Sequence, residues 1–281
     1  MKAKEKQLLH SFFLTASGAI EGFKTREKNE EPKFFDDEVP CENKKENSCP
    51  LSLSSFVSDP LSSPPSKALT TYSSLQALKA DIELCTLCPL AKTRRNIVAG
   101  EGPQELSKAG NAPSILVIGE APGQEEDESS RPFVGNAGKL LDKMLAAIEL
   151  SRHTNCFITN MVKCRPPENR NPTTEEITSC SHFLQEQIRL ISPKMILLLG
   201  TVALKAMFKT TEGIMHLHGR LMHYSLSKEN SIESGNPSPT KILIPTIPTF
   251  HPSALLRNES LKRPAWDDLK FFKTKLKEII G

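Results

Sequence analysis

The chain predicts an α/β protein: a four-stranded, mostly parallel sheet with helices on both faces, in three layers. Two observations carry this. Short apolar runs, bounded by Gly, Pro and polar residues, alternate with stretches of helical periodicity after residue 73. Those apolar runs are continuous rather than alternating, as in strands buried on both faces.

Leu75, Leu78, Ile82 and Leu84 recur at helical spacing and mark the first helix. Ser114 to Gly119 (SILVIG) reads as the first strand. Asn136 to Leu150 places Leu140, Leu141, Met144, Leu145 and Ile148 on one helical face. Cys156 to Val162 reads as the second strand, with Cys156 as a core residue. Thr173 opens a helix, with Glu176 completing a capping box. Met195 to Gly200 (MILLLG) is the third strand, followed by a helix through Phe208. Lys241 to Phe250, interrupted by prolines, is the fourth and an edge strand. Arg263 to Ile280 closes the chain as a helix, and Lys228 to Thr240 reads as a polar, mobile insertion.

Ahead of this 73–281 domain, residues 1–23 read as a short amphipathic helix and residues 24–72 as a disordered linker. The linker is a mixed-charge run followed by a Ser/Pro-rich stretch that cannot offset chain entropy by burial. The Leu8–Leu14 region is interrupted by His10 and Ser11 and lacks a cleavage pattern, so it does not read as a signal peptide. No apolar run is long enough to span a bilayer. Seven cysteines in 281 residues favour a reducing cytoplasm over a disulfide framework. A net charge of +3 does not by itself identify a nucleic-acid partner.

Cys85 and Cys88 form a C-x-x-C pair beside Pro89 and the basic Lys92, Arg94 and Arg95. Cys164 and Cys180 follow far downstream. Four thiolates can hold zinc or an iron–sulfur cluster, and the spacing leaves both open. Ligands of open α/β sheets sit beyond the carboxyl ends of the strands. The unusual residues fall there: Gly119-Glu120-Ala121-Pro122-Gly123 after the first strand, Asn160 at the end of the second, and His251-Pro252-Ser253 after the fourth. Glu125 and Asp127 read as solvated, and His182, His216, His218 and His223 as structural. Lys163, Arg165 and Arg170 read as a basic face that can meet phosphates.

Four motifs occur in order: GEAPGQEED, RPFVGNAG, NMVKCRPPENRNP and FHPSALLR. Together with the four cysteines they resemble the family-4, iron–sulfur uracil-DNA glycosylases from about Leu84 to the carboxyl end. The resemblance implies that family's fold, uracil-containing DNA as the partner of a monomer, and a structural [4Fe-4S] cluster on Cys85, Cys88, Cys164 and Cys180. It implies excision of a flipped uracil by hydrolysis of its N-glycosidic bond, leaving an abasic site. Phe133 would stack under the base, Asn160 would read its edge, and His251 would donate to uracil O2. Gly119, Ala121, Pro122 and Gly123 would line the pocket, with Ser253 and Arg257 on the DNA backbone. Ala121 stands where the best-known relatives carry their water-activating Asp. Glu126, Glu120 and Asn169 are therefore the candidates for that task, Glu126 first, and Asn169 in place of a covalent-bonding histidine implies ordinary turnover. A non-catalytic, nucleic-acid-binding iron–sulfur protein and a zinc-stabilised nucleotide hydrolase are the alternatives. The amino-terminal tail is free to meet other repair proteins.

Overall fold

A computed structural model describes residues 57–58, 72–103, 115–228 and 240–280. The expected amino-terminal helix, most of the linker and the 229–239 insertion lie outside the described residues.

The described residues form six strands: β1 Val57–Ser58, β2 Ile115–Gly119, β3 Cys156–Asn160, β4 Met195–Leu199, β5 Met222–Lys228 and β6 Thr240–Thr249. They make one sheet in the order β1-β5-β6-β4-β2-β3, parallel except for the β5–β6 pair. Helices are α1 Leu75–Glu83, α2 Gln124–Ser129, α3 Asn136–Ala147, α4 Thr174–Ile191, α5 Gly200–Phe208, α6 Ile214–Leu217, α7 Pro252–Arg257 and α8 Lys262–Ile280.

Every residue of β2, β3 and β4 is buried, so helices cover both faces. Leu116 and Ile118 pack with Leu184 and Ile188 of α4 and with Leu204 of α5. Their strand neighbour Ile115 faces the other way, sharing a pocket with Ile148 and with Leu276 of α8. A smaller core joins α1 (Leu78, Ile82) to Phe183 of α4 and carries Cys164 and Cys180. Leu84, counted into the α1 stripe, is instead the 80% exposed cap residue.

Two expectations are corrected. The sheet has six strands rather than four. The added β5 shows a period-two signal, with Met222, Tyr224 and Leu226 buried. In addition, β6 is interior, between β5 and β4, despite Pro245 and Pro248. The registers explain how the prolines are tolerated. The antiparallel ladder to β5 ends at Thr246, and the parallel ladder to β4 begins there. Pro245 thus pairs only with His223, and Pro248 only with Leu198. Each proline sits where the strand has a single neighbour, so its missing N–H leaves only one side of the ladder short.

The capping box forms as expected: Thr173 Oγ1 accepts from Glu176 N at 3.2 Å, and Glu176 Oε2 accepts from Thr173 N at 2.8 Å. Arg170 closes a bidentate pair on the same carboxylate at 2.7 and 2.9 Å, so it is engaged by protein. Asp127 is not solvated but 5% exposed. It accepts from the backbone N–H groups of Arg95 and Asn96, at 3.0 to 3.1 Å, and staples α2 to the segment after the first cysteine pair. Replacing Asp127 with Ala removes the acceptor of two part-buried backbone N–H groups and is expected to cost about 1–2 kcal/mol, read as a lower urea midpoint at unchanged slope. An unchanged midpoint would show that the staple does not hold the segment.

Candidate active site

The carboxyl ends of β2, β3 and β6 converge on one crevice. Gly119 and Asn160 are register partners at the ends of β2 and β3. A Cβ on Gly119 would lie 2.5 Å from Asn160 Oδ1 and 2.5 Å from Phe133 Cζ, so only glycine admits both side chains. The Phe133 and His251 rings stand 5.5 Å apart, tilted by 35°. Three segments distant in sequence thus place an aromatic face, an amide and an imidazole in one cluster.

Phe133 is held against its own preference. Its φ is +53°, in the left-handed region that bulky residues avoid. Buried Arg152 donates to the carbonyls of Pro132 and Phe133, both at 2.8 Å, and is anchored by Asp142 at 2.8 Å. Glu126 Oε1 accepts from Val134 N at 2.8 Å and Gly135 N at 3.0 Å, while Oε2 accepts from Gly123 N at 3.1 Å. A Cβ on Gly138 would lie 1.8 Å from the Phe133 carbonyl oxygen, so α3 can approach only through glycine. With both carboxylate oxygens accepting from backbone N–H groups, Glu126 braces the loops around Phe133.

The remaining acids separate. Glu120, at the mouth of the first loop, is partly buried, and burial pushes its carboxyl above the usual range against the opposing pull of the Arg257 charge. Asn169 is exposed, at φ +55°, and its Oδ1 accepts from Arg165 Nε at 2.8 Å. No described contact joins it to the Phe133–Asn160–His251 cluster. Lys163 is 1% exposed and does not belong to a phosphate-facing surface.

Asn160 is 1% exposed, and its Oδ1 has no hydrogen-bond partner among the described residues. A buried acceptor without a donor is costly, so this oxygen is open to accept from a ligand N–H.

His251 has a defined tautomer. Its Nδ1 accepts from the Ser253 backbone N–H at 3.3 Å and lies 2.7 Å from Ser253 Oγ. The proton therefore sits on Nε2, leaving that nitrogen as a donor. Burial, reinforced by the Arg257 charge, holds the imidazole down to about 4, so it is neutral at physiological pH. Behind it, buried Asp268 accepts from Thr249 Oγ1 at 2.7 Å and pairs with His218 Nδ1 at 2.9 Å, fixing the end of β6 two residues before His251. Ser253 orients the imidazole directly. It is not a free hydroxyl.

Cys85, Cys88, Cys164 and Cys180 line a single small pocket between α1, α4 and the β3 end. Burial raises the Cys85 and Cys164 thiols and pushes Cys180 up to about 12, while Arg94 Nη1 donates to Cys164 Sγ at 3.3 Å. Among the described residues no three or more His, Cys, Asp or Glu side chains are disposed to hold a metal ion. Four soft donors around a shared pocket, with a guanidinium against one sulfur, fit a polynuclear thiolate-held cluster. Ala121 of the first loop packs against this cysteine-bearing core. Sequence reading missed Arg152 and Asp268, because each acts on a segment remote in the chain, and the packing role of Gly138 on Phe133, five residues away within RPFVGNAG.

If the neutral imidazole is the working form, the single-turnover rate should show no step from His251 between about pH 5 and pH 8. A rise centred near the ordinary histidine value of about 6.5 would contradict the buried, neutral state. Stability should move with the same group. Below about 6.5 the unfolded chain takes a proton that folded His251 refuses until about 4. Its contribution is therefore present above that window and lost as pH falls through it.

Comparison with known proteins bears on this arrangement. The profile of the uracil DNA glycosylase superfamily matches residues 107–270. A type-4 uracil-DNA glycosylase of Thermotoga maritima is 39% identical over 206 residues, spanning 73% of this chain and 95% of the relative. One from Pyrobaculum aerophilum is 38% identical over 198 residues, 70% of this chain and 92% of the relative. A type-5 uracil-DNA glycosylase of the latter organism is 33% identical over 120 residues, 36% of this chain and 53% of the relative.

Proposed function

The chain belongs to the uracil-DNA glycosylase superfamily, in its type-4 branch, and is a DNA-repair glycosylase; from that premise we propose how its side chains divide the work. The observation that supports the reading is the buried Asn160 Oδ1, without a hydrogen-bond partner among the described residues, beside the Phe133 ring and a neutral His251. Uracil turned out of the DNA stack presents an N3–H donor between two carbonyl acceptors. Asn160 Oδ1 accepts from N3–H, its amide nitrogen donates to O4, and the base lies on Phe133. Cytosine offers an acceptor at N3 and a donor at C4, so it would leave buried polar groups unpaired on both sides. Such mismatches can discriminate by about 10⁴-fold.

Cleavage of the N-glycosidic bond leaves negative charge on the departing uracil and positive charge on the sugar. His251 Nε2–H is the donor for uracil O2, and a neutral donor can strengthen its bond as charge develops without first losing a proton. Of the three candidate acids and amides, Glu120 retains a carboxylate not committed to backbone N–H groups. It stabilises the sugar cation or orients the water. Glu126 positions the loop. Arg257, on the helix after His251, meets the phosphate backbone.

Cys85, Cys88, Cys164 and Cys180 would hold a [4Fe-4S] cluster, whose contribution is to tie α1 and the β3 end to α4. The enzyme acts as a monomer on uracil-containing DNA in a reducing cytoplasm that keeps these thiols available. The amino-terminal segment is the part left to meet other repair proteins.

Release of free uracil from a labelled oligonucleotide tests the function. With His251→Ala, the single-turnover rate should fall about 10²- to 10³-fold, while affinity for abasic DNA changes little. Equal rates would remove His251 from the chemistry. Cys180→Ser should lose visible absorption and melt at lower temperature. A colourless wild-type protein with four freely titrating thiols would contradict the cluster assignment.

A further inference from the structure

Lys163 is an ammonium in the protein core, and its environment is specific. Its Nζ donates to Thr159 Oγ1 at 2.8 Å, to the Asn160 carbonyl oxygen at 2.7 Å and to Gln187 Oε1 at 2.8 Å. All three donors of the ammonium are used. The cage extends further. Thr159 Oγ1 lies 3.1 Å from Gln187 Oε1, and Gln187 Nε2 donates to the Ala99 carbonyl at 2.6 Å. Thr159, Asn160, Lys163 and Gln187 are each no more than 2% exposed. The Ala99 segment runs along the outer edge of β3, where Glu101 and Ile158 exchange backbone hydrogen bonds at 2.9 and 2.7 Å and Val98 N donates to the Lys163 carbonyl at 2.9 Å.

Burying an ammonium carries a desolvation penalty that an apolar side chain of similar length would avoid. One of its three bonds goes to the backbone carbonyl of Asn160, the residue that presents the base-reading amide, and a second to the adjacent Thr159 side chain. The third joins them to the helix face that carries Cys180, two turns before Gln187. Cys164 is the next residue in the chain. The cage is therefore the direct polar connection between the cysteine-lined pocket and the end of β3.

We propose that Lys163 is a positioning residue for uracil recognition: by caging Thr159, the Asn160 carbonyl and Gln187, it fixes the Asn160 amide at the angle needed to read the base edge and couples that angle to the helix bearing Cys180. The proposal rests on Asn160 acting as the base reader. It assigns the lysine to specificity rather than to DNA binding, since the side chain has no route to a phosphate. A small misplacement of a reading group costs about 10²-fold in rate, and the loss should fall on the substrate that uses the amide.

The test compares single-turnover excision of uracil and of 3-deazauracil, which lacks the N3–H donor, by wild type and Lys163→Met. Wild type should prefer uracil. Lys163→Met should shrink that preference about tenfold or more, with affinity for abasic DNA within about twofold. A preference unchanged in the variant, whatever its melting temperature, would overturn the proposal and leave Lys163 a stability element. Should Lys163→Met not fold, Thr159→Val removes one acceptor from the cage at equal volume. It should shrink the preference about threefold, and an unchanged ratio would be equally decisive against. A wild type that excises both bases alike would remove Asn160 as the reader, and with it this proposal. Absence of uracil release altogether would instead strike the proposed function.

Discussion

Phe133 sits at a backbone angle that costs a residue of its size about 1–3 kcal/mol, and the crevice is organised around holding it there. Arg152 fixes two successive carbonyls, Glu126 fixes the two following N–H groups, and Gly138 lets α3 come within contact distance. The ring then rests against Gly119, where any side chain would collide with it and with Asn160. The strain is thus offset by contacts from Arg152 and from α2, α3 and β2. What it secures is a flat apolar face beside a buried amide and an imidazole, the geometry on which recognition of a planar base depends.

Electrostatics divides the acidic loop into different tasks. The run Glu125-Glu126-Asp127 looks repulsive to a phosphate backbone, yet two of its carboxylates are turned inward onto backbone N–H groups, Glu126 at the Phe133 loop and Asp127 at Arg95 and Asn96. Their charge is compensated by local dipoles, much as at a helix N-terminus. Glu120 is left as the acid facing the crevice, opposed by the Arg257 charge. The same Arg257 helps keep His251 neutral. One guanidinium thus pulls Glu120 toward its ionised form, against the burial that raises it, and pushes His251 toward its neutral form.

Much of the fold was legible in the sequence because its central strands are buried on both faces: ILVIG and MILLL read as unbroken apolar runs, and CFITN as an apolar run that ends in Thr159 and Asn160. The Thr173–Glu176 cap was legible because its chemistry is local. The strand β5 was not, since its mixed Met222–Lys228 composition hides a period-two stripe, and the interior place of β6 was masked by Pro245 and Pro248. Only the register shows that each proline has a single neighbour. At the site, position past a strand end picked out Gly119, Asn160 and His251. The roles of Glu126 and Asp127, and the burial of Lys163, depended on partners distant in sequence, which no local pattern reveals.

In the proposed function one pocket reads uracil through Asn160, stacks it on Phe133 and stabilises its departure through His251. Diffraction from crystals grown with free uracil tests this most directly. The base should lie on the Phe133 ring, with N3 in hydrogen-bond range of Asn160 Oδ1 and O2 facing His251 Nε2. Uracil bound elsewhere, or an Asn160 Oδ1 already satisfied by another protein group with the base turned away, would contradict it.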